Sequence, residues 1–331
     1  MQGNTLLAGL PQYFGDFGGI LVPDAFTPDI FKMATEAENI LNSKQFMPCL
    51  KAILTEVPSM KIIHVERDGR HIQVVCSQAL YYMVAGHLAL SKLRKCKFNF
   101  MGCENADIAL FAAKVCQKAG MHCHITLGKE LSNNKNLKKE LQNFGAELDD
   151  STCAKLYDRA QAYAFQKYLG NRSDSCFIPV GANLGCYPYP ALSGFFGGIW
   201  GEKLKSAVGT APDVVVATML HGNSAVAAFR AFGASRLATV EQPICQQYHG
   251  EFCGCSMLMV RTAAYREFSV TLAPELTDMW RMARVLRLGA EDYCRGNECD
   301  GLSVTTNRAI EIVSRRLPEM RSLLIVEGEN E

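Results

Sequence analysis

From Lys97 onward, short runs of strand-type residues take turns with amphipathic helical segments, and that alternation leaves few folds open. Lys97-Phe-Asn-Phe-Met101 reads as a strand, Ala106 to Ala119 as a helix ended by Gly120, and His122-Cys-His-Ile-Thr-Leu127 as a second strand. Asn136 to Phe144 is then a second helix and Gly145-Ala-Glu-Leu148 a third strand. Strands separated by helices join side by side as parallel βαβ units. The pattern restarts with Asp213-Val-Val-Val-Ala217, a helix through Phe232, and Ser235-Arg-Leu-Ala-Thr-Val240. It continues with a helix over Glu275 to Leu288, a helix capped by Thr305 or Thr306, and the closing strand Ser322-Leu-Leu-Ile-Val326. The expected class is α/β, with mostly parallel twisted sheets flanked by helices.

The first hundred residues add helices with one apolar face and a local hairpin. Ile30, Phe31, Ala34, Ala37 and Leu41 fall on one side of a helix, and a second helix covers Phe46 to Leu54. Lys61 to Glu66 and His71 to Cys76 flank Arg67-Asp-Gly-Arg70, the signature of a tight β-turn. The stretch from Cys76 to Leu93 then reads as an apolar core helix. A helix over Ser151 to Leu169 precedes a glycine-proline-tyrosine passage, Ile178 to Pro190, which marks a boundary between two lobes. We expect an N-terminal lobe over residues 1–190, with 53–78 able to pack with the other lobe, and a C-terminal lobe over 191–331.

Charge and cysteine usage exclude several classes. The 34 basic and 33 acidic residues leave a net charge of +1 and no basic field for nucleic acid or an anionic membrane surface. No run of about 18 uncharged apolar residues is present to span a bilayer, and the N-terminal stretch lacks the pattern of a secretion signal. The expected compartment is the cytoplasm. The 14 cysteines are scattered along the chain, which suits buried, reduced thiols. The nearest groupings, Cys245 with Cys253 and Cys255, and Cys294 with Cys299, lack paired C-x-x-C spacing, so no metal is expected. His122 and His124 share a strand face as a solvent-facing pair, and Lys135 to Lys139 reads as a solvated helix face.

One stretch invites a ligand. Asp213 to Ala217 runs into short residues before a helix, freeing backbone N–H groups where the helix dipole favours an anion. Gly222, Asn223 and Ser224 form the candidate cradle, with His221 beside it.

Four motifs then carry a family resemblance. Tyr13-Phe-Gly-Asp-Phe-Gly-Gly19 with Val22-Pro23 resembles the N-terminal signature of the tryptophan synthase β chain. Gly181 to Gly185 with Tyr187-Pro-Tyr-Pro190 resembles that family's glycine passage, and Leu220-His-Gly-Asn-Ser-Ala225 resembles its loop for the phosphate of pyridoxal phosphate. Val240-Glu241 fits the strand end that follows. The resemblance implies a two-lobed fold type II pyridoxal-phosphate enzyme, in which His221, Gly222, Asn223, Ser224, Ala225, Glu241 and Glu327 would be the remnant phosphate loop and ring contacts. Tyr13, Phe14, Phe17, Tyr187 and Tyr189 would lie toward a partner interface.

The same alignment removes the chemistry. The family's Ala-His-Lys, whose lysine holds the cofactor as an imine, falls on Gln78-Ala-Leu80, so Leu80 stands at the lysine position. Lys92 is about 18 Å farther along the helix at 1.5 Å per residue. The acid/base glutamate falls on Gly102, with Glu104 a displaced candidate, and the family's Glu-Ser-Ser-His falls on Val304-Thr-Thr-Asn307. The family's late serine, which meets the cofactor's ring nitrogen, falls near Glu327, and an insertion between Gly250 and Phe268 is missing.

The reading is a tryptophan synthase β-like pseudoenzyme with no catalytic residue and no cofactor expected. It would act as a non-catalytic or allosteric partner of an α-like or catalytic β-like subunit, or as a homodimer. The alternatives are a divergent lyase or synthase acting on indole, serine or a related amino acid, with non-covalently held pyridoxal phosphate, and a small-molecule sensor using the vacated pocket.

Overall fold

The computed structural model describes residues 27–150, 159–171, 174–180, 189–219, 223–233, 236–241, 284–287 and 304–327. The chain divides into two units, one of residues 1–58 and 81–193 with Glu331, the other of 59–80 and 194–330.

The first unit opens with α1 (Thr27–Leu41) and α2 (Phe46–Leu54) and receives most of α3 (Ala79–Leu93). There follow β3 (Phe98–Cys103), α4 (Ala106–Ala119), β4 (His122–Leu127), α5 (Lys129–Ser132), α6 (Lys135–Asn143), β5 (Glu147–Asp150), α7 (Arg159–Gly170) and β6 (Ser175–Phe177). The four strands make one parallel sheet in the order β5-β4-β3-β6, as expected of successive βαβ units. α4 shows how locally the sequence sets its ends. Asn105 accepts from the Ile108 N–H at 3.0 Å to cap the start, and Gly120, at φ 67°, takes the left-handed turn that stops it. Met33, Ala164 and Phe177 form a core between α1, α7 and β6.

The second unit is built on β1 (Ile62–Arg67), β2 (Arg70–Cys76), β7 (Val214–Met219), β8 (Leu237–Glu241), β9 (Arg284–Arg287) and β10 (Ser322–Glu327). Its helices are α9 (Asn223–Phe232) and α10 (Val304–Arg316), and α8 (Tyr189–Val208) brings the chain in. The sheet order is β1-β2-β10-β7-β8-β9, parallel throughout except for β1. Asp68 and Gly69, both at positive φ, turn the β1–β2 hairpin as the Asp-Gly pair predicts. Leu323 to Val326 of β10, in the sheet interior, are all buried, whereas the edge strand β1 leaves Ile63, His64 and Glu66 exposed. Val74, Val216, Ile325 and Val313 of α10 belong to one apolar cluster.

Three local expectations need correction. Residues 284–287, read within a helix, form a strand that pairs with β8, because a neighbouring strand is available there. Thr305 and Thr306 lie inside α10, not at its cap. His122 and His124 do not make a solvent-facing pair: His124 is half-buried, stacks on Phe100 with ring centroids 4.7 Å apart, and meets Glu147 at 3.3 Å.

Asp213 pins the entry of β7 to that of β10, accepting from the Arg321 and Ser322 N–H groups at 2.9 Å each. These two bonds hold its carboxyl below the usual range. A depressed carboxyl contributes stability that is present above its unfolded pKa and is lost as the pH falls through the folded one. Asp213→Ala should therefore cost about 1 kcal/mol at neutral pH. That difference should shrink as the pH falls below about 4, followed by urea denaturation across pH; an equal loss at every pH would contradict the charged-acceptor role.

Candidate functional site

Open parallel sheets bind ligands beyond the carboxyl ends of their strands, where helices begin and backbone donors are free. In the second unit that edge collects the ends of β2, β10, β7 and β8. Register sets Glu327 beside Cys76 and Met219 beside Glu241. α9 starts at Asn223, four residues after β7, with Asn223, Ser224 and Ala225 all buried.

Glu327 is the centre of the hydrogen bonding at this edge. The Cys76 thiol donates to its Oε2 at 3.4 Å, and the Thr306 hydroxyl of α10 donates to its Oε1. The Ser77 N–H donates to the Glu327 carbonyl at 2.9 Å. Cys76 is an exposed residue at the end of β2. Burial, and then the adjacent Glu327 carboxylate, push its pKa up to about 11. It is therefore a protonated donor, not a nucleophile, at neutral pH. Beside Thr306, Asn307 accepts from the Arg67 guanidinium at 2.9 Å. Sequence reasoning named Glu327 and the Val304 to Asn307 segment but missed Cys76 and Arg67 as their setting, because β1, β2 and α10 meet only in the folded unit.

Leu80 lies just past β2, in the first turn of α3. The Ser77 hydroxyl accepts from the Ala79 N–H at 3.2 Å and so turns the chain into the helix. Leu80 is only 3% exposed, and its neighbours Ala79 and Gln78 are buried too. The first lysine of α3 is Lys92, in its last turn. Glu241 ends β8 and Tyr189 opens α8. Tyr13, Phe14, Phe17, Tyr187, His221 and Gly222 lie outside the described residues, as does the 250–268 stretch.

In the first unit, β3 ends on Gly102 and Cys103. A Cβ on Gly102 would overlap the backbone of Ala160 and Gln161 in the first turn of α7. That turn is fixed in place: the Gln161 amide donates to the Val180 carbonyl at 2.7 Å and accepts from the Val180 N–H at 2.9 Å. No side chain fits at residue 102. The Glu104 carboxylate lies against Gly128, at the start of α5. Among the described residues no group of three or more His, Cys, Asp or Glu side chains is arranged to hold a metal.

No family model matches the chain. The tryptophan synthase β chain of Lacticaseibacillus paracasei is 24% identical over 280 residues, which cover 76% of this chain and 65% of that protein. That of Clostridium botulinum is 26% identical over 239 residues, covering 66% and 58%. The chain thus spans less than two thirds of the length of these relatives. Among solved structures, the threonine deaminase of T.th. superposes with a TM-score of 0.53 at 13% identity, over 86% of this chain and 98% of that one. The fold is that of the fold type II pyridoxal-phosphate enzymes.

Gly102→Ala should destabilise the chain by about 3 kcal/mol or prevent folding, because the obstacle is backbone and cannot change rotamer. Chemical denaturation measures this, and a loss under about 0.5 kcal/mol would show that α7 does not close on β3.

Proposed function

We propose that this chain, which has the fold type II pyridoxal-phosphate enzyme fold and tryptophan synthase β chains as relatives, is a non-catalytic member of that group. Its role is to bind a partner chain and set that partner's state. The carrying observation is Leu80 in the first turn of α3. Aligned on the family's lysine, a buried leucine offers no amine, and no imine can form there. Gly102 supports the same reading, since the family's acid/base glutamate would need a side chain where α7 leaves no room.

Covalently held pyridoxal phosphate therefore does not fit the residues present. Glu327, which falls near the family's contact to the ring nitrogen, is already an acceptor for Cys76 and Thr306. The aligned family residue is a serine, so Glu327 would give a bound ring different electronics. What the second unit keeps is the start of α9, whose first residues Asn223 and Ser224 are buried. That remnant suits an anionic group without supplying a nucleophile.

The partner implied by the resemblance is a tryptophan synthase α-type chain or a catalytic β-type chain. Co-expression of the full chain with each, followed by size-exclusion chromatography with light scattering, should give a stable complex with one of them. Elution apart from both would overturn the partner role.

The loss of covalent chemistry has its own test. After incubation with pyridoxal phosphate and borohydride reduction, the wild-type chain should gain no cofactor mass. Leu80→Lys places an ammonium in an apolar first turn and should lower stability by several kcal/mol. It should recover melting temperature on adding pyridoxal phosphate and gain the reduced adduct at residue 80. An adduct on the wild-type chain at any lysine, with turnover of serine or indole, would replace this reading with that of a divergent enzyme.

A further inference from the structure

Away from the strand ends, the densest set of reactive groups among the described residues lies within the first unit. Asn99 of β3 has Cys123 of β4 and Cys176 of β6 as its register partners on either side. Neighbours in one register row put their side chains on the same face, so two thiols flank the Asn99 amide. Each of these cysteines has a second one against it. The Cys96 side chain, from the turn between α3 and β3, lies against Cys176, and that of Cys116 of α4 lies against Cys123.

Backbone geometry holds the Cys96–Cys176 pair. Lys95, at φ 60°, ends α3 in a left-handed turn, and the Cys96 N–H closes back on the Ser91 carbonyl at 3.0 Å. One residue on, the Lys97 and Phe98 N–H groups both donate to the Asp174 carbonyl, at 2.7 and 3.1 Å. The two chain segments are therefore fastened immediately beside the two sulfurs.

The pairs differ in their surroundings. Arg94 Nη1 points at Cys176 Sγ from 4.0 Å, and the nearby Ser91 hydroxyl donates to Asn99 Oδ1 at 2.5 Å. Arg94 is steadied by Glu36 at 3.0 Å. The Cys176 thiol donates to the Phe177 carbonyl at 3.6 Å; its closeness and that of Arg94 lower the Cys96 pKa, while Cys96 and burial raise that of Cys176. Cys116 is raised, and no cation contributes to its shift. Cys96 is also the most accessible of the four, at 8%.

We propose that Cys96 and Cys176 are an oxidisable dithiol that hydrogen peroxide converts to an intramolecular disulfide. The Cys96 thiolate attacks one peroxide oxygen, the O–O bond breaks, and the departing hydroxide leaves as water after taking a proton, giving a sulfenic acid on Cys96. Cys176 sulfur then attacks Cys96 sulfur, the S–O bond breaks, and the leaving hydroxide takes the Cys176 proton as a second water. Two electrons pass from the two thiols to the peroxide. The product joins the turn after α3 to β6 and closes a loop of about 80 residues, a length for which a cross-link restrains the unfolded chain strongly. This chemistry is independent of what the strand-end site binds.

The full-length reduced chain, freed of reductant and treated with a small excess of hydrogen peroxide, should lose two of its 14 thiols first. Its mass should fall by that of two hydrogens, and peptide mapping should recover the peptide holding Cys96 joined to the one holding Cys176. Cys96→Ser should abolish the link and leave Cys176 alkylatable, and Arg94→Met should slow thiol loss by about tenfold. The oxidised chain should melt at a higher temperature than the reduced one. The proposal is overturned if Cys96 and Cys176 both stay alkylatable while other cysteines oxidise, or if Cys96 advances to the sulfinic acid without the link. Should a variant fail to fold, the wild-type peptide map alone decides between these results.

Discussion

The parallel pairing of β2 with β10 is the constraint on which the second unit depends. It joins residues 70–76 to residues 322–327, and Glu327 meets Cys76 across 251 positions of sequence. Without it the six-stranded sheet would lose β1 and β2, and the buried faces of Ile72 and Val74 would face water. Pairings of such separation are entropically costly to form, and this one holds because β10 is apolar on both faces and β2 packs Ile72 and Val74 into the core. The same pairing brings the start of α3 to the sheet edge that also carries Glu327 and the start of α9.

That edge brings a carboxylate, a thiol and a helix start together. Its carboxylate is engaged by a thiol and a hydroxyl, its thiol is held protonated, and the helix that follows β2 presents leucine in its first turn. In the first unit the corresponding end of β3 is closed by the backbone of α7, which Gln161 locks to Val180. Leu80 and Gly102, far apart in sequence, are both closely packed, Leu80 among apolar neighbours and Gly102 against the α7 backbone.

Much of the fold was legible in the chain. The helix–strand alternation, the Asp68-Gly69 turn and the stop at Gly120 act over a few residues, and local backbone preference sets them. Residues 284–287 fall within Glu275 to Leu288, whose pattern reads as one long helix, and only β8 alongside selects the strand there. Thr306 has the right chemistry for a helix cap, but inside α10 its hydroxyl turns to Glu327 instead. At the candidate site, Leu80 and Glu327 could be singled out by alignment, whereas Cys76 and Arg67 could not, since nothing in their own neighbourhoods marks them.

The sequence by itself determined the α/β class and what each position can do chemically. No tertiary environment gives leucine an amine or glycine a carboxylate. The tertiary structure alone decided which side chains meet: Thr306 and Cys76 at Glu327, the α7 backbone at Gly102, and Cys96 at Cys176. Those meetings follow from sheet register and helix packing between segments tens to hundreds of residues apart, whereas periodicity and turn chemistry report only on their immediate surroundings.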